Sequence, residues 1–276
     1  AVYCMLPNFG GRTGFFGRFD KVMTDYFAYG AQYPNIKGIG ATPEAIESVP
    51  VLYDMLFELP WYSEQPDAKE WMADYAHNRY GVVNTQAEEA WEILRTSALR
   101  CQTALQGPHE AVLCARPGLT VDRVSSWGGS DIFYDKTQVL KAAYLLLEAN
   151  LKGENYSYDL TDIARQALTD YGYDLLRSVN AAHVSGDTVT FRIRSEKFLE
   201  LILDLDRLLA TNKDFMLGRW TQLARGIADE VPGTTEADRD WLELDNARTL
   251  ITTWGPRESS DYGGLRDYSY REWAGM

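Results

Sequence analysis

The chain of 276 residues predicts a mixed fold: a short parallel α/β portion followed by a mainly α-helical bundle. Two observations carry this. The first sixty residues alternate short runs of strand formers with helical stretches, and from Pro66 onward nearly every patterned stretch has the helical period. Val2–Leu6 is the first strand candidate and runs into Asn8-Phe9-Gly10-Gly11. Arg18–Tyr29 reads as a helix, with Phe19, Val22, Met23, Tyr26 and Phe27 at helical spacing and Gly30 as its stop. Lys37–Ala41 is the second strand candidate. Thr42 then suits an N-cap and Pro43 a first helical position, which opens a helix through Ile46, Val49, Tyr53 and Leu56 to about Leu59. Two strands do not make a stable sheet of this kind alone, so further strands are expected from sequence outside the chain. Ala1 opens directly on the first apolar run and Met276 falls within helical patterning, so both ends read as cut.

The helical part is justified element by element. Asp67–Arg79 places Trp71, Met72 and Tyr75 on one face and stops at Gly81. Thr85–Arg100 opens with Thr85 and Glu88 in capping-box spacing. Residues 102–129 are punctuated by Gly-Pro, Pro-Gly and Gly-Gly pairs and read as loop. Helices follow over Lys136–Asn150 and over Leu160–His183, the latter with a stripe of Ile163, Ala167, Tyr171 and Leu175. The remaining helices are Asp187–Ala210, Asp214–Asp229 and Ala237–Trp254. This is a bundle of about six or seven helices whose apolar stripes are core.

Composition narrows the function. The net charge of −13 repels phosphate backbones and anionic lipid surfaces, so neither nucleic acid nor a membrane is an expected partner. No P-loop, dinucleotide fingerprint or HExxH motif is present, and His77, His109 and His183 are dispersed, so no metal and no cofactor is expected. Cys101 and Cys114 either close one short loop or stay free thiols. The 8 Trp, 17 Tyr and 10 Phe serve a core or a sugar-stacking surface equally well. Asn155-Tyr156-Ser157 is a glycosylation sequon in a eukaryotic secretory setting.

Glu44 is the chemical candidate. It follows a strand, where a parallel α/β barrel builds its active site, and the first turn of a helix favours an ionised carboxylate. A helix-capping carboxylate has the same address. The glycines of the Asn8–Gly11 run permit backbone to approach a ligand, or simply make a tight turn.

The motifs Met5-Leu6-Pro7-Asn8-Phe9-Gly10-Gly11 and Gly38-Ile39-Gly40-Ala41-Thr42-Pro43-Glu44-Ala45-Ile46-Glu47 resemble consecutive strand-end motifs of glycoside hydrolase family 89, the α-N-acetylglucosaminidases. The likeness continues in order through Pro50–Trp61, Arg79-Tyr80-Gly81, Ala115-Arg116-Pro117, Phe133-Tyr134 and Tyr158-Asp159-Leu160. Leu217-Gly218-Arg219-Trp220, Trp254-Gly255-Pro256 and Asp267-Tyr268 complete it. The resemblance implies that residues 1–62 are the last βα units of a (β/α)8 catalytic barrel and that residues 63–276 are an all-α domain closing over its pocket. It implies retaining release of terminal α-linked N-acetylglucosamine from heparan-type or mucin-type glycans, with Glu44 as nucleophile. It places Leu6, Phe9, Trp254, Leu265, Tyr268 and His109 around the sugar. The family's general acid lies on an earlier strand, so the missing N-terminal barrel portion is an expected partner besides the glycan. The location implied is extracytoplasmic in bacteria (periplasm, cell surface or secreted) and lysosomal in animals. The sequence departs from the family at Pro7, Arg12, Ala45 and Phe133. The competing reading is a non-catalytic helical module that binds carbohydrate or a protein partner.

Overall fold

The computed structural model describes residues 1–7, 14–43, 49–103, 105, 107–109, 111–115, 117–121 and 129–247. Two short strands, β1 (Tyr3–Met5) and β2 (Ile39–Ala41), pair in parallel with Tyr3 opposite Ile39 and Met5 opposite Ala41. The connection between them is α1 (Phe19–Gln32), as a parallel crossover requires. Phe19 and Met23 of α1 are fully buried, and Val22, Tyr26 and Phe27 pack beside them. The helix runs on through Gly30 to Gln32, because Gly30 keeps a negative φ and its own helical bond.

The helix expected to run from Thr42 through Val49 to about Leu59 is not continuous across Val49, and residues 44–48 lie outside the described residues. α2 is Pro50–Glu58, with Pro50 in its first turn and Val49 in the left-handed region at φ 51°. The physical reason lies in the Val49-Pro50 bond. The proline ring disfavours a helical conformation in the residue before it, and proline brings no N–H to continue a helix already under way.

Next come α3 (Ala68–Tyr80), α4 (Thr85–Thr96) and α5 (Lys136–Ala149). Asp67 caps α3 by accepting from the N–H groups of Lys69 and Glu70, and Gly81 ends it at φ 70°. α4 is capped by Asn84, whose Oδ1 accepts from Ala87 N at 2.9 Å. The expected Thr85 capping box does not form, since Thr85 lies one residue inside the helix and its hydroxyl turns to Gln86. Asp135 caps α5, and Asn150 closes it in the left-handed region. These elements share one core with α1 and α2, built on Leu52, Met55, Leu56, Trp91, Leu94, Val139 and Leu146.

α6 (Glu154–Ser185) is a single helix of 32 residues. Its buried face is not the apolar stripe the periodicity predicts. Ile163, Ala167 and Leu175 are buried, but Tyr171 is 44% exposed, while Asp159, Asp162, Gln166 and Asp170 are buried. The polar side chains are tolerated there because they find partners. Arg79 grips Asp159 with two N–H groups, Tyr80 donates to the same carboxylate at 3.0 Å, and Trp91 Nε1 donates to Tyr80 at 2.9 Å. Burial works against the Arg79 charge, and the Asp159 carboxylate more than offsets it, so the guanidinium is held above its ordinary pKa. Asp162 and Arg165 make a second buried pair at 2.6 Å.

The chain divides into two compact units, one of residues 1–109 with 132–167 and one of residues 110–131 with 168–276. In the second unit α7 (Thr188–Leu209), capped by Asp187, sets Phe198, Leu201, Ile202 and Leu205 against Val112, Leu113, Leu175 and Leu176. α8 (Leu217–Asp229) follows the short 3-10 turn Lys213–Phe215. α9 (Glu236–Asp240) opens with a Thr235–Asp238 capping box and continues as a π-helix over Trp241–Ala247, the described part of the predicted 237–254 helix. Cys4, Cys101 and Cys114 are free thiols.

Candidate active site at the strand ends

Pairing in parallel brings the carboxyl ends of β1 and β2 out on the same edge. The ladder continues one step beyond the strands, where Thr42 N donates to Met5 O at 3.0 Å. Leu6-Pro7 and Thr42-Pro43 therefore leave the sheet side by side. In parallel α/β folds this edge is the ligand-binding edge, because the loops that follow the strands all open there.

A cavity of about 180 Å³ opens at this edge, lined by Met5, Leu6, Pro7, Phe16, Gly17, Arg18, Val22, Leu52 and Leu105. Leu6 is 38% exposed and available to a ligand. The Arg18 guanidinium reaches across to the carbonyls of Thr103 at 2.6 Å and Leu105 at 3.0 Å. Residues 17–19 pair antiparallel with residues 99–101, through Phe19 N to Leu99 O at 3.0 Å and Cys101 N to Gly17 O at 2.8 Å. The segment that leads into α1 is thus tied to the chain leaving α4.

His109 is buried and belongs to a small polar cluster beside that segment. Gln166 Oε1 accepts from Phe15 N at 2.9 Å, its Nε2 donates to the Tyr134 hydroxyl at 3.1 Å, and the same nitrogen lies 3.3 Å from His109 Nε2. The Phe15 N–H fixes which end of the amide is oxygen. The His109 Nε2 facing the amide nitrogen is then an acceptor, with the ring proton on Nδ1. Gly14 sits so close to this loop that a Cβ on it would lie 2.8 Å from Pro108 Cβ and 3.2 Å from His109 O.

Of the sequence-predicted site residues, Leu6 lines the strand-end cavity and His109 lies in the polar cluster. Glu44, Phe9, Trp254, Leu265 and Tyr268 lie outside the described residues. Sequence reasoning missed Phe16, Arg18 and Gln166. The signal for Gln166 is a polar residue at helical spacing between Ile163 and Leu175. It is a weak one, because most such residues face water. A second cavity, about 280 Å³ and polar, is walled by Asp54, Glu58, Tyr62, Trp71, Asp74, Tyr75, Asn78, Arg79 and Asn155, and shares no residue with the first. Burial there pushes the Asp54 carboxyl up against the pull of Arg79. Among the described residues no group of three His, Cys, Asp or Glu side chains is arranged to hold a metal ion.

Comparison with known proteins adds the family. The profile described as alpha-N-acetylglucosaminidase (NAGLU) tim-barrel domain matches residues 1–63, and that described as alpha-N-acetylglucosaminidase (NAGLU) C-terminal domain matches residues 71–276. The human protein alpha-N-acetylglucosaminidase is 31% identical over 283 residues, a match that takes in 100% of this chain and 36% of the human one. Structures of a family 89 glycoside hydrolase from Clostridium perfringens, in complex with PUGNAc and with 2-acetamido-1,2-dideoxynojirimycin, match at a TM-score of 0.89 and 34% identity. Each match covers 99% of this chain and 32% of the clostridial one. A third structure of that enzyme, with two glutamates replaced by glutamine, holds its substrate GlcNAc-alpha-1,4-galactose and matches equally well. The chain spans about a third of the length of these relatives. It belongs to the alpha-N-acetylglucosaminidase family, glycoside hydrolase family 89.

Proposed function

We propose that this chain is part of a retaining glycoside hydrolase that releases terminal α-linked N-acetylglucosamine from heparan-type or mucin-type glycans. In this reading residues 1–62 are the C-terminal part of the catalytic (β/α)8 barrel and residues 63–276 the all-α domain. The general acid comes from barrel sequence outside the chain. The single observation that carries the reading is the shared exit of Leu6-Pro7 and Thr42-Pro43 at the carboxyl edge of a parallel strand pair. Glu44 stands two residues beyond Thr42 in the sequence, and a barrel presents its catalytic groups from the residues that follow its strands, which supports Glu44 as the nucleophile.

The mechanism follows from what retention requires. Two carboxyl groups about 5–5.5 Å apart flank the bond, one attacking the anomeric carbon and the other protonating the leaving oxygen. Glu44 is the attacking carboxylate and forms the glycosyl-enzyme bond as the aglycone leaves. Water then attacks the same carbon, delivers a proton to the second carboxyl and frees Glu44. Leu6, Phe9, Trp254, Leu265 and Tyr268 supply apolar faces to the sugar ring, and His109 supports the wall beside them. Binding of GlcNAc-alpha-1,4-galactose by a clostridial relative lacking two glutamates supports a two-carboxylate reaction on an α-linked terminal sugar.

The test is the stereochemical course in the complete parent enzyme. Proton NMR of early product from an aryl α-N-acetylglucosaminide is expected to show the α-anomer first, with the β-anomer growing in by mutarotation. Initial release of the β-anomer would sink the double-displacement reading.

A further inference from the structure

We infer that Gln166, on α6, is a positioning residue for the strand-end sugar wall, an inference that rests on the function proposed above. Its carboxamide joins three segments far apart in sequence. It accepts from Phe15 N at 2.9 Å, donates to Tyr134 at 3.1 Å and faces His109 at 3.3 Å. Phe15 immediately precedes Phe16, which lines the strand-end cavity together with Leu6 and Pro7. Phe16 is also held edge-on by Phe133, with ring centroids 5.8 Å apart, and Phe133 meets Tyr134 edge-on at 5.1 Å. The amide thus fixes the wall twice, through the backbone of Phe15 and through the Tyr134–Phe133–Phe16 ring stack.

The site is built for this. Gln166 is 2% exposed, so none of its polar atoms competes with water, and the close approach of Gly14 to Pro108 holds the segment against it. In sequence, this anchored segment follows β1 by way of residues 8–13, which lie outside the described residues. A wall that meets the sugar alike in ground and transition states contributes uniform binding. Its loosening raises KM while leaving kcat nearly intact.

The experiment uses the complete parent enzyme. Gln166→Leu is expected to raise KM for an aryl α-N-acetylglucosaminide about tenfold with kcat within about twofold of wild type, and to weaken binding of 2-acetamido-1,2-dideoxynojirimycin about tenfold by calorimetry. Gln166→Glu keeps the acceptor for Phe15, and Tyr134 can turn donor toward it, so its KM is expected to lie closer to wild type than that of Gln166→Leu. Tyr134→Phe removes one arm alone and gives a smaller rise in KM, which reads the inference even if Gln166→Leu does not fold. Unchanged KM and inhibitor affinity in Gln166→Leu and Tyr134→Phe would overturn it. So would a fall in apparent kcat at constant KM, the signature of a smaller folded fraction. Wild-type enzyme that binds the inhibitor without turning over substrate would remove the hydrolase reading alone, and the binding comparison would still decide the role of Gln166.

Discussion

The stretch that carries the strands and the helical stretch after it share one core but hold their shapes by different means. α3, α4 and α5 each begin with a side-chain cap, from Asp67, Asn84 and Asp135, and α3 and α5 each end on a left-handed residue, Gly81 or Asn150. α1 and α2 have no side-chain cap, and β1 and β2 are three residues each. The helical stretch is specified locally, by residues that would cap a helix anywhere. The strand stretch takes its form from what surrounds it: the bonds of residues 17–19 to 99–101, Gln166 on Phe15, and the core under Leu52. The candidate active site lies in the less self-sufficient part.

This contrast can be sharpened by substitutions. Asp159→Asn leaves the buried Arg79 guanidinium without its counter-charge. It is expected to destabilise the first unit by about 3–5 kcal/mol in urea unfolding, with strand and helical stretches lost in one transition because they share a core. Loss of the strand stretch in a separate, earlier transition would break the shared-core half of the comparison. Leu52→Ala opens a cavity beneath Gly17, whose Cβ position lies 3.1 Å from the Leu52 methyls, and is expected to cost about 2–5 kcal/mol on the same measurement.

How much of this was legible in the sequence follows the same line. α3 can be read to within a residue, because Trp71, Met72 and Tyr75 mark its buried face and Asp67 and Gly81 its ends. Thr42 as N-cap and Pro43 at the first position predict one helix through Ile46, Val49, Tyr53 and Leu56, but the backbone breaks at Val49-Pro50, where apolar spacing gives no warning. Tyr171 matches the helical stripe yet is exposed, and Gln166 breaks it yet is buried, since burial on α6 is decided by partners distant in sequence. Gln166 and His109 stand 57 residues apart, and no local pattern encodes that meeting. The Thr-Pro-Glu motif after β2 is readable as a candidate because it is a contiguous run of residues; Glu44 itself lies outside the described residues.

Smaller effects test the caps. Asn84→Ala is expected to cost about 1 kcal/mol, and Thr85→Ala close to nothing, by thermal unfolding; the reverse order would restore the capping box at Thr85. Asp67 gives a pH test. The backbone N–H of Glu70, and then that of Lys69, hold its carboxyl below the ordinary value of 3.8. A folded pKa below the unfolded one stabilises above the unfolded value, and that stabilisation is lost as pH falls through the folded value. Asp67→Asn keeps the acceptor and removes the titration. Its melting temperature is therefore expected to fall less steeply below about pH 4 than that of wild type. Parallel acid limbs would contradict the assignment.

The most direct test of the account is Glu44→Ala in the complete parent enzyme, assayed on an aryl α-N-acetylglucosaminide with and without azide. The account predicts that turnover falls by several orders of magnitude, and that azide restores it with formation of a glycosyl azide of inverted configuration. Near-normal turnover in Glu44→Ala would mean that Glu44 is not the nucleophile, and would contradict the mechanism proposed for this chain.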